Sequence, residues 1–432
     1  MKAIVVGSGA GGATAARELS RTGAEVVVLE AGERFKPFTR LVGWTEPLRR
    51  AGLLGGEANV ERFISAYRTT RSSKELLLVR GMAVGGCSVV SCGNLVRAEA
   101  GLKEIGLDLS PEYESLERQI GIATLPRERW RPTTQRMFDA ASEMGLDPRP
   151  TPKGLDISRC ISCGLCEVGC PTGARWDSRR FLDEAARWGC RVQTGSAVKQ
   201  VLVEGERAVG VRAEVDGRMS TMKADVVVLA AGGIGTAQIL RASGIAPSDT
   251  LWADLVLTVG GRSKAARQLE EPPMAWFAQR ERHIISPYVD VLSHWFHRPW
   301  RNVGLQDRVG VMVKLAESAN GRVLEDGRVE KPVSAEDQSY LRRAADEVKD
   351  MMGRAGVEEP FINGILHGGH LGGTVPLRRE DVSGMRPSYL PEGLWVADLS
   401  LLPRSQGLPT MLTTAALALR VARSIQPESG RT

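Results

Sequence analysis

Apolar and polar positions at the start of the chain come in short blocks that predict one supersecondary unit. Residues 2–6 and residues 25–29 are apolar runs, each long enough for one buried strand. Between them, residues 13–21 follow the periodicity of a helix. A strand, a helix and a second strand in this order predict a βαβ unit with parallel strands.

Similar blocks recur much later in the chain. Residues 225–230 form an apolar run, followed by a helical pattern at 235–242. Residues 394–398 form a strand that ends in an acid, and 409–423 form an apolar helix. Three alternating runs between residues 197 and 222 predict an antiparallel meander. The sequence therefore predicts an α/β fold in which a Rossmann-like domain is built from separate parts of the chain.

The turn after the first strand is rich in glycine. Gly7, Gly9 and Gly12 have the G-x-G-x-x-G spacing, and Glu30 follows the second strand. Gly7 permits a tight turn, Gly9 lets the backbone approach a pyrophosphate, and Gly12 lets the helix pack closely. The helix N-terminus offers unpaired N–H groups to phosphates, and Glu30 can accept hydrogen bonds from a ribose. The acid favours FAD or NAD over NADP; the alternative is a glycine-rich turn without a ligand.

The bulk composition is that of an ordinary globular protein with two or three domains. The chain has 432 residues, of which 42% are hydrophobic and 25% are charged. Its net charge is only +6 and its arginines are scattered, so we expect no nucleic-acid partner. No apolar run reaches the roughly 20 residues that cross a bilayer. Because the first strand leaves no room for a signal peptide, we expect a cytoplasmic protein.

Four of the seven cysteines form the most specific local pattern in the chain. Cys160, Cys163, Cys166 and Cys170 are followed by Pro171, which is the C-x2-C-x2-C-x3-C-P spacing of bacterial-type ferredoxins. The spacing predicts a [4Fe–4S] cluster. A tetrahedral zinc site is the second interpretation, and chemically inert cysteines are the third.

The sequence leaves the fourth ligand of such a cluster open. In two-cluster ferredoxins the last cysteine of the run binds the other cluster, and this chain has no second run. Either Cys170 completes its own site, or Cys87, Cys92 or Cys190 supplies the fourth thiolate. Without a secretion signal, seven cysteines indicate metal or redox chemistry rather than a disulfide framework.

Several motifs together resemble the glucose–methanol–choline (GMC) oxidoreductase family over nearly the whole chain. They are the first glycine turn with Glu30, Gly85-Gly86-Cys87-Ser88 with Asn94, His370-Leu371-Gly372-Gly373-Thr374, residues 396–400, and Gly407-Leu408-Pro409-Thr410. Residues 170–175 resemble the branch that contains the long-chain alcohol oxidases. The resemblance implies non-covalent FAD, a two-domain fold and oxidation of an alcohol by hydride transfer to flavin N5.

By this resemblance His370 is the catalytic base, because removal of the hydroxyl proton promotes departure of the hydride. An imidazole suits the role, since its pKa lies near the operating pH. His367, in the same glycine-rich loop, is the weaker candidate. The family commonly places Asn or His just before the Pro-Thr of its last motif, and this chain has Leu408 there. Either another residue takes that role, or the substrate chemistry differs.

The motifs and the resemblance together define the expected site and domains. The expected cofactor contacts are Gly7, Gly9, Gly12, Glu30, Gly85, Gly86, Ser88, Asn94, Val198, Asp398 and Pro409. The expected domains are an FAD-binding domain in three parts (1–108, 187–246 and 385–432), a helical and iron–sulfur insertion (109–186), and an antiparallel-sheet substrate domain (247–384).

These features predict an FAD-dependent dehydrogenase that oxidises an alcohol and relays electrons through a [4Fe–4S] cluster to an external carrier or a partner redox subunit. A cluster carries one electron at a time, which argues against direct reduction of O2. Two alternatives stay open: a reductase of a carbonyl or C=C substrate, and a non-catalytic electron-transfer subunit. A carrier needs no base beside the flavin, so His370 favours an enzyme.

Overall fold

The structure is a computed structural model that describes residues 1–39 and 42–425. Its strands are β1 (Lys2–Val6), β2 (Glu25–Leu29), β3 (Tyr67–Arg71), β4 (Leu77–Gly81), β5 (Ile122–Thr124), β6 (Arg149–Pro150), β7 (Pro152–Gly154), β8 (Arg191–Gln193), β9 (Ser196–Glu204), β10 (Arg207–Val215), β11 (Arg218–Lys223), β12 (Val226–Leu229), β13 (Trp252–Arg262), β14 (Trp276–Gln279), β15 (His283–Pro287), β16 (Arg308–Leu315), β17 (Arg322–Val323), β18 (Val329–Glu330), β19 (Glu358–Asn363), β20 (His367–Gly372) and β21 (Leu394–Val396). Its α-helices are α1 (Ala10–Arg21), α2 (Glu46–Ala51), α3 (Val60–Phe63), α4 (Leu102–Ile105), α5 (Ser110–Ile120), α6 (Pro132–Glu143), α7 (Arg179–Arg187), α8 (Gly232–Ala242), α9 (Val291–Phe296), α10 (Ala335–Arg354) and α11 (Met411–Ile425). The predicted segment 385–432 extends beyond the described residues at its C-terminal end.

A five-stranded parallel sheet joins distant parts of the chain in the order β21-β12-β1-β2-β8. β1 and β2 are parallel neighbours, with Lys2 opposite Glu25, as the βαβ pattern predicts. Most of its residues are apolar and buried, because helices cover such a sheet. Helix α1 packs against α7 and α11. It begins at Ala10, earlier than predicted, because Gly9 already serves as its N-cap.

A nine-stranded sheet forms the second unit, with the path β3-β4-β20-β13-β16-β15-β14-β6 and with β19 also paired to β13. Strand β13 lies inside this sheet and is buried along nearly its whole length. The predicted substrate domain has an antiparallel sheet, whereas the observed sheet is mixed, because β4 and β20 run parallel. These two strands come from distant parts of the chain, so no hairpin forces them to run in opposite directions.

The predicted meander is confirmed as a third, antiparallel sheet in the order β11-β10-β9. Helix α10 begins with a capping interaction, in which the Ser334 side chain accepts a hydrogen bond from Asp337 N at 3.0 Å. Across residues 1–39 and 42–425, no helix combines the length and the apolar character that crossing a membrane requires.

The glycine-rich segment around His370 is a strand and not the predicted loop. His367 and His370 both lie on β20, which pairs with β13 on one side and with β4 on the other. Its glycines let neighbouring groups pack closely against the strand. At Gly372, for example, a Cβ would lie 2.3 Å from the Leu399 carbonyl oxygen. Glycine within a strand often marks such a close approach of a neighbour.

Candidate active site

The first glycine turn has a geometry that only glycine permits. Gly7 has a φ of +97°, and a Cβ there would lie 2.4 Å from the Ala230 carbonyl oxygen at the end of β12. A Cβ at Gly12 would lie 2.0 Å from the Gly7 carbonyl oxygen. The turn and the close approach of α1 to it therefore both depend on the missing side chains.

The second glycine motif lies directly against the first. Gly86 has a φ of +54°, and a Cβ there would lie 2.8 Å from Gly9 Cα. Gly85 N donates to Ser8 Oγ at 2.9 Å, and Ser88 Oγ donates to the Gly85 carbonyl oxygen at 2.6 Å. A Cβ at Gly9, by contrast, would have no neighbour closer than 3.9 Å. The structure thus brings both motifs to the N-terminus of α1, where helix N–H groups attract phosphate.

Glu30 is buried and hydrogen-bonded to the first turn. Its Oε2 accepts from Ser8 N at 3.0 Å and from Ser8 Oγ at 2.6 Å, and its Oε1 accepts from Gly32 N at 2.9 Å. Burial raises the pKa of Glu30, although these hydrogen bonds oppose the shift. The acid that the sequence pairs with the glycine turn therefore contacts that turn directly.

Asp398, near the other end of the chain, is also a buried and hydrogen-bonded acid, as Glu30 is. Its Oδ2 accepts from Gly232 N at 2.8 Å and from Thr236 Oγ1 at 2.6 Å, at the start of α8. Its Oδ1 accepts from Ser400 N at 2.8 Å, and burial raises its pKa. Val198 lies on β9 within the core around the parallel sheet. Contact of either residue with a cofactor stays a prediction.

His370 is paired with an acid that the motifs do not reveal. Asp254 on β13 lies opposite His370 on β20, and His370 Nδ1 is 3.1 Å from Asp254 Oδ2. The next pair in the ladder joins Leu255 to Gly368, so Gly369 is an extra residue that forms a β-bulge. Bulges re-aim side chains and are common beside active sites.

Asp254 is fully buried and surrounded by hydrogen-bond donors. Its Oδ2 lies 2.9 Å from Lys314 Nζ in addition to its contact with His370. Its Oδ1 accepts from Ser405 Oγ at 2.6 Å, Gln406 N at 2.9 Å and Gly407 N at 2.8 Å. Burial acts to raise the pKa of Asp254, but the charge of Lys314 and the His370 hydrogen bond hold it well below its ordinary value. The carboxylate therefore stays ionised and orients the imidazole.

The imidazole of His370 is neutral at neutral pH. Burial lowers its pKa, and the charge of Lys314 lowers it further, while Asp254 and the Leu408 carbonyl act in the opposite direction. Because the ionised Asp254 accepts from Nδ1–H, the hydrogen-bond pattern assigns the lone pair to Nε2. A neutral imidazole with a free lone pair can accept a proton.

A cavity of about 180 Å³ lies beside His370. The predicted residues Asn94 and Pro409 also line it, so the structure brings these three together, and Lys314 completes the polar side. The apolar part of the wall includes Val256, Met274, Leu292 and Met312. Apolar walls keep water from the base and strengthen the electrostatic interactions there.

The four cysteines of the ferredoxin-like run lie between β7 and α7 as free thiols. Burial raises the pKa of Cys163, and the charges of Cys170 and Cys160 add to the shift. In the described part of the chain, no three His, Cys, Asp or Glu side chains are arranged to hold a metal ion.

The remaining candidates for the fourth thiolate differ in their surroundings. Cys190 lies in the core around α1, whereas Cys160 and Cys170 pack against the core of the nine-stranded sheet. Cys170 Sγ also accepts from Arg175 N at 3.4 Å, and a hydrogen bond to sulfur favours the thiolate form. Cys170 therefore shares the environment of the loop, and Cys190 does not.

The cysteine loop also forms part of the cavity wall. Glu167, next to Cys166, lines the cavity and accepts a hydrogen bond from the Tyr288 hydroxyl. The Tyr67 hydroxyl donates to the Glu167 carbonyl oxygen at 3.2 Å. Burial, together with the charge of Asp290, raises the pKa of Glu167 to about 8. The cysteine run and the space beside His370 thus share one wall.

The motifs miss several polar residues of the cavity, among them Asp254, Lys314 and Glu167. Apart from Arg262 and Arg308 at the strand ends, Asp254 and Lys314 are the charged residues of β13 and β16. An isolated acid and an isolated base in two buried strands are a signal for a buried ion pair. Their contact follows from the sheet register, in which Lys314 pairs with Val256, two residues from Asp254 and on the same face.

The glycine turn at the end of a parallel strand is typical of dinucleotide binding. A neutral imidazole lies beside a nearby cavity. Together these features define a dinucleotide-dependent oxidoreductase. The family model described as GMC oxidoreductase matches residues 1–262, and the chain belongs to this family. The resemblance carried by the motifs is thereby confirmed. Membership also supports FAD as the cofactor.

Individual relatives agree with this assignment. An uncharacterised GMC-type oxidoreductase of Mycobacterium tuberculosis is 28% identical over 97% of this chain and 75% of the relative. A long-chain-alcohol oxidase of Arabidopsis thaliana is 26% identical over 57% of this chain and 34% of the relative. The crystal structure of pyridoxine 4-oxidase from Mesorbium loti has a TM-score of 0.72 at 15% identity and covers 98% of both chains. That structural likeness shows a shared fold.

Proposed function

We propose that this chain is an FAD-dependent dehydrogenase that oxidises the CH–OH group of a small-molecule alcohol. The observation that carries the proposal is the neutral imidazole of His370, held by Asp254 at the wall of a largely apolar cavity. A long-chain-alcohol oxidase among the relatives supports an alcohol as the substrate. A concave, largely apolar cavity with placed polar groups is the usual form of a small-molecule site.

The two glycine turns fit FAD. The open space at Gly9, the N-terminus of α1 and the buried Glu30 suit a dinucleotide. Further proposed contacts are Gly7, Gly12, Gly85, Gly86, Ser88, Asn94, Val198, Asp398 and Pro409. The proposed cofactor domain combines 1–108, 187–246 and 385–432, with 109–186 as an insertion and 247–384 as the substrate domain. Bound at these turns, FAD supplies the acceptor for a hydride.

His370 acts on the hydroxyl proton of the substrate. Its Nε2 accepts the proton while Asp254 holds Nδ1–H in place. The resulting imidazolium is stabilised by the Asp254 carboxylate and can donate to the Leu408 carbonyl oxygen. As the substrate oxygen gains negative charge, the neighbouring carbon loses its hydride more readily.

Cys160, Cys163, Cys166 and Cys170 hold a [4Fe–4S] cluster in this proposal. Support comes from the ferredoxin-like spacing and from the Arg175 N–H directed at Cys170 Sγ. A zinc ion at the same residues is the alternative. Such a cluster would supply single-electron transfer to an external carrier, and its loop already borders the cavity.

Two other functions would use the same residues and cofactors in a different way. A reductase of a carbonyl or C=C bond would use the His370 imidazolium as a proton donor. An electron-transfer subunit would need neither a fixed base nor a substrate cavity beside it. The His370–Asp254 pair therefore favours an enzyme, and substrate tests decide its direction.

The test is anaerobic purification, followed by a visible spectrum, an iron count and a screen of alcohols. We expect bound FAD, iron, and bleaching of the flavin absorbance by at least one primary or secondary alcohol. Bleaching by a reduced carrier protein alone, with reoxidation by a carbonyl compound, would support the reductase. Protein without flavin would contradict all three functions.

A further inference from the structure

The position where the family places Asn or His is filled by Leu408, whose side chain cannot form a hydrogen bond. In the structure, the Leu408 carbonyl oxygen accepts a hydrogen bond from Lys314 Nζ, which reaches this point from β16. Lys314 lines the cavity together with His370. A buried ammonium therefore lies beside the position where this chain lacks the family's second polar group.

The hydrogen bonds of Lys314 leave one donor for a ligand. A lysine ammonium has three N–H donors. One is directed at Asp254 Oδ2, 2.9 Å away, and one donates to the Leu408 carbonyl oxygen. Among residues 1–39 and 42–425, no other side chain or carbonyl accepts from Nζ. The third donor can therefore bind an oxygen atom in the cavity.

Lys314 is the counter-charge that helps to keep Asp254 ionised, but the hydrogen-bonding capacity of that carboxylate does not depend on the lysine alone. Four other donors already satisfy its carboxylate: His370 Nδ1, Ser405 Oγ, Gln406 N and Gly407 N. Burial of an ammonium costs free energy that one ion pair often fails to recover. Lys314 is nevertheless almost wholly buried, with 4% of its side chain exposed. A role toward a ligand would explain its retention at this place.

We propose that Lys314 Nζ binds the substrate oxygen, so that Lys314 and His370 together form a site for a hydroxyl or oxyanion. This role rests on the proposed alcohol oxidation. In that reaction His370 Nε2 would take the O–H proton, and the C–H bond would break as the C–O bond becomes C=O. Bound FAD would supply the acceptor for the hydride, so that the two electrons lost by the alcohol are gained by the flavin. Lys314 stays protonated and stabilises the negative charge that builds on the oxygen.

Acetate is a direct probe of this site, because its carboxylate imitates the charged oxygen. Titration of the FAD-loaded enzyme with acetate, followed by the flavin absorbance, should show saturable binding. Lys314→Met should weaken acetate binding by about 10- to 100-fold, since a hydrogen bond to a charged group is lost. Lys314→Arg, which keeps the charge, should retain part of the affinity. Equal acetate affinity in wild type and Lys314→Met would overturn the proposal.

Lys331→Met is the matched control. Lys331 is also fully buried and is paired with the buried Glu317, but it does not line the cavity. Its replacement should lower the thermal unfolding midpoint and leave acetate affinity unchanged. An equal loss of acetate binding in both variants would show a general effect of removing a buried lysine. If Lys314→Met fails to fold, Lys314→Gln tests the contribution of the charge, because the amide keeps hydrogen-bond donors but carries no charge. Acetate affinity should then fall below that of wild type, and equal affinity would overturn the proposal.

Measurements of turnover distinguish the proposed role of Lys314 from the proposed oxidation of an alcohol. With an alcohol that bleaches the flavin, Lys314→Met should lower kcat/KM by about 10²–10³-fold, with most of the loss in kcat. Unchanged kcat/KM would reject the oxygen site while the dehydrogenase assignment stands. Acetate binding that depends on Lys314, without any alcohol that reduces the flavin, would reject the dehydrogenase while the oxygen site stands.

Discussion

His370 Nδ1 lies 3.1 Å from Asp254 Oδ2 across neighbouring strands, and a bulge at Gly369 sets their alignment. Backbone N–H groups of Gln406 and Gly407 hold the same carboxylate from the segment that leads into α11. The orientation of the imidazole is therefore set jointly by β13, β20 and the C-terminal segment. This linkage makes Asp254 the most informative residue to change.

Asp254→Asn should lower kcat by about 10²–10⁴-fold while FAD stays bound. The amide would present a donor to His370 or Lys314, which are donors themselves, so the imidazole tautomer would no longer be fixed. Steady-state kinetics and the flavin-to-protein ratio measure the two effects. Asp337→Asn is the control, because Asp337 is fully buried in α10 and does not line the cavity. Equal losses in both variants would assign Asp254 to folding alone.

The rate of alcohol oxidation should depend on the charge of His370. Burial and Lys314 lower the pKa of His370 from its ordinary value of about 6.5. The base must be neutral to accept a proton, so kcat/KM should rise with pH and level off after an inflection below that value. Lys314→Met removes a nearby positive charge and should move the inflection to higher pH. A profile that falls as pH rises through this range would contradict the assigned base.

Gly9→Ala and Gly12→Ala should separate cofactor binding from folding. A Cβ at Gly9 has no neighbour closer than 3.9 Å, so the variant should fold but bind FAD less tightly. A Cβ at Gly12 would lie 2.0 Å from the Gly7 carbonyl oxygen, so that variant should lose about 1–3 kcal/mol of stability or more. Flavin content and thermal unfolding distinguish the two. Full flavin occupancy and affinity in Gly9→Ala would speak against phosphate approach at this turn.

Cys163→Ser should reduce the iron content, whereas Cys190→Ser should leave it unchanged. Anaerobically purified wild type is expected to hold about four iron atoms per chain, as a [4Fe–4S] cluster requires. Cys190 is a matched thiol because it is buried in another part of the protein, beside Ser20. Zinc in place of iron, measured by elemental analysis, would favour the second interpretation of the cysteine run. Equal iron in both variants would place the metal elsewhere.

Features with a local signal could be predicted from the sequence. Strands β1 and β2 have the predicted bounds, because short apolar runs and a glycine turn define them. The cap at Ser334 and the meander of β9 to β11 are local patterns as well. Helix ends differ by a few residues where a cap lies earlier than the apolar periodicity indicates.

The site beside His370 depends on pairing between distant strands, which no local pattern encodes. Asp254 and Lys314 become neighbours only because β13 pairs with both β20 and β16. The segment around His370 has the composition of a loop, yet its glycines allow a strand to pack against Trp252 and Leu399. A family motif indicates His370 as the proposed base, whereas Asp254 and Lys314 could be identified only from the fold.

Anaerobic single-turnover reduction of the flavin by an active alcohol, in wild type and in His370→Ala, addresses the proposed mechanism itself. Both proteins should carry equal amounts of FAD, because His370 does not belong to the glycine turns. Flavin bleaching in His370→Ala should be slower by about 10²–10⁴-fold, as expected when a general base is removed. Bleaching of both flavins at the same rate would show that His370 is not the base and that the cavity beside it is not where the alcohol is oxidised.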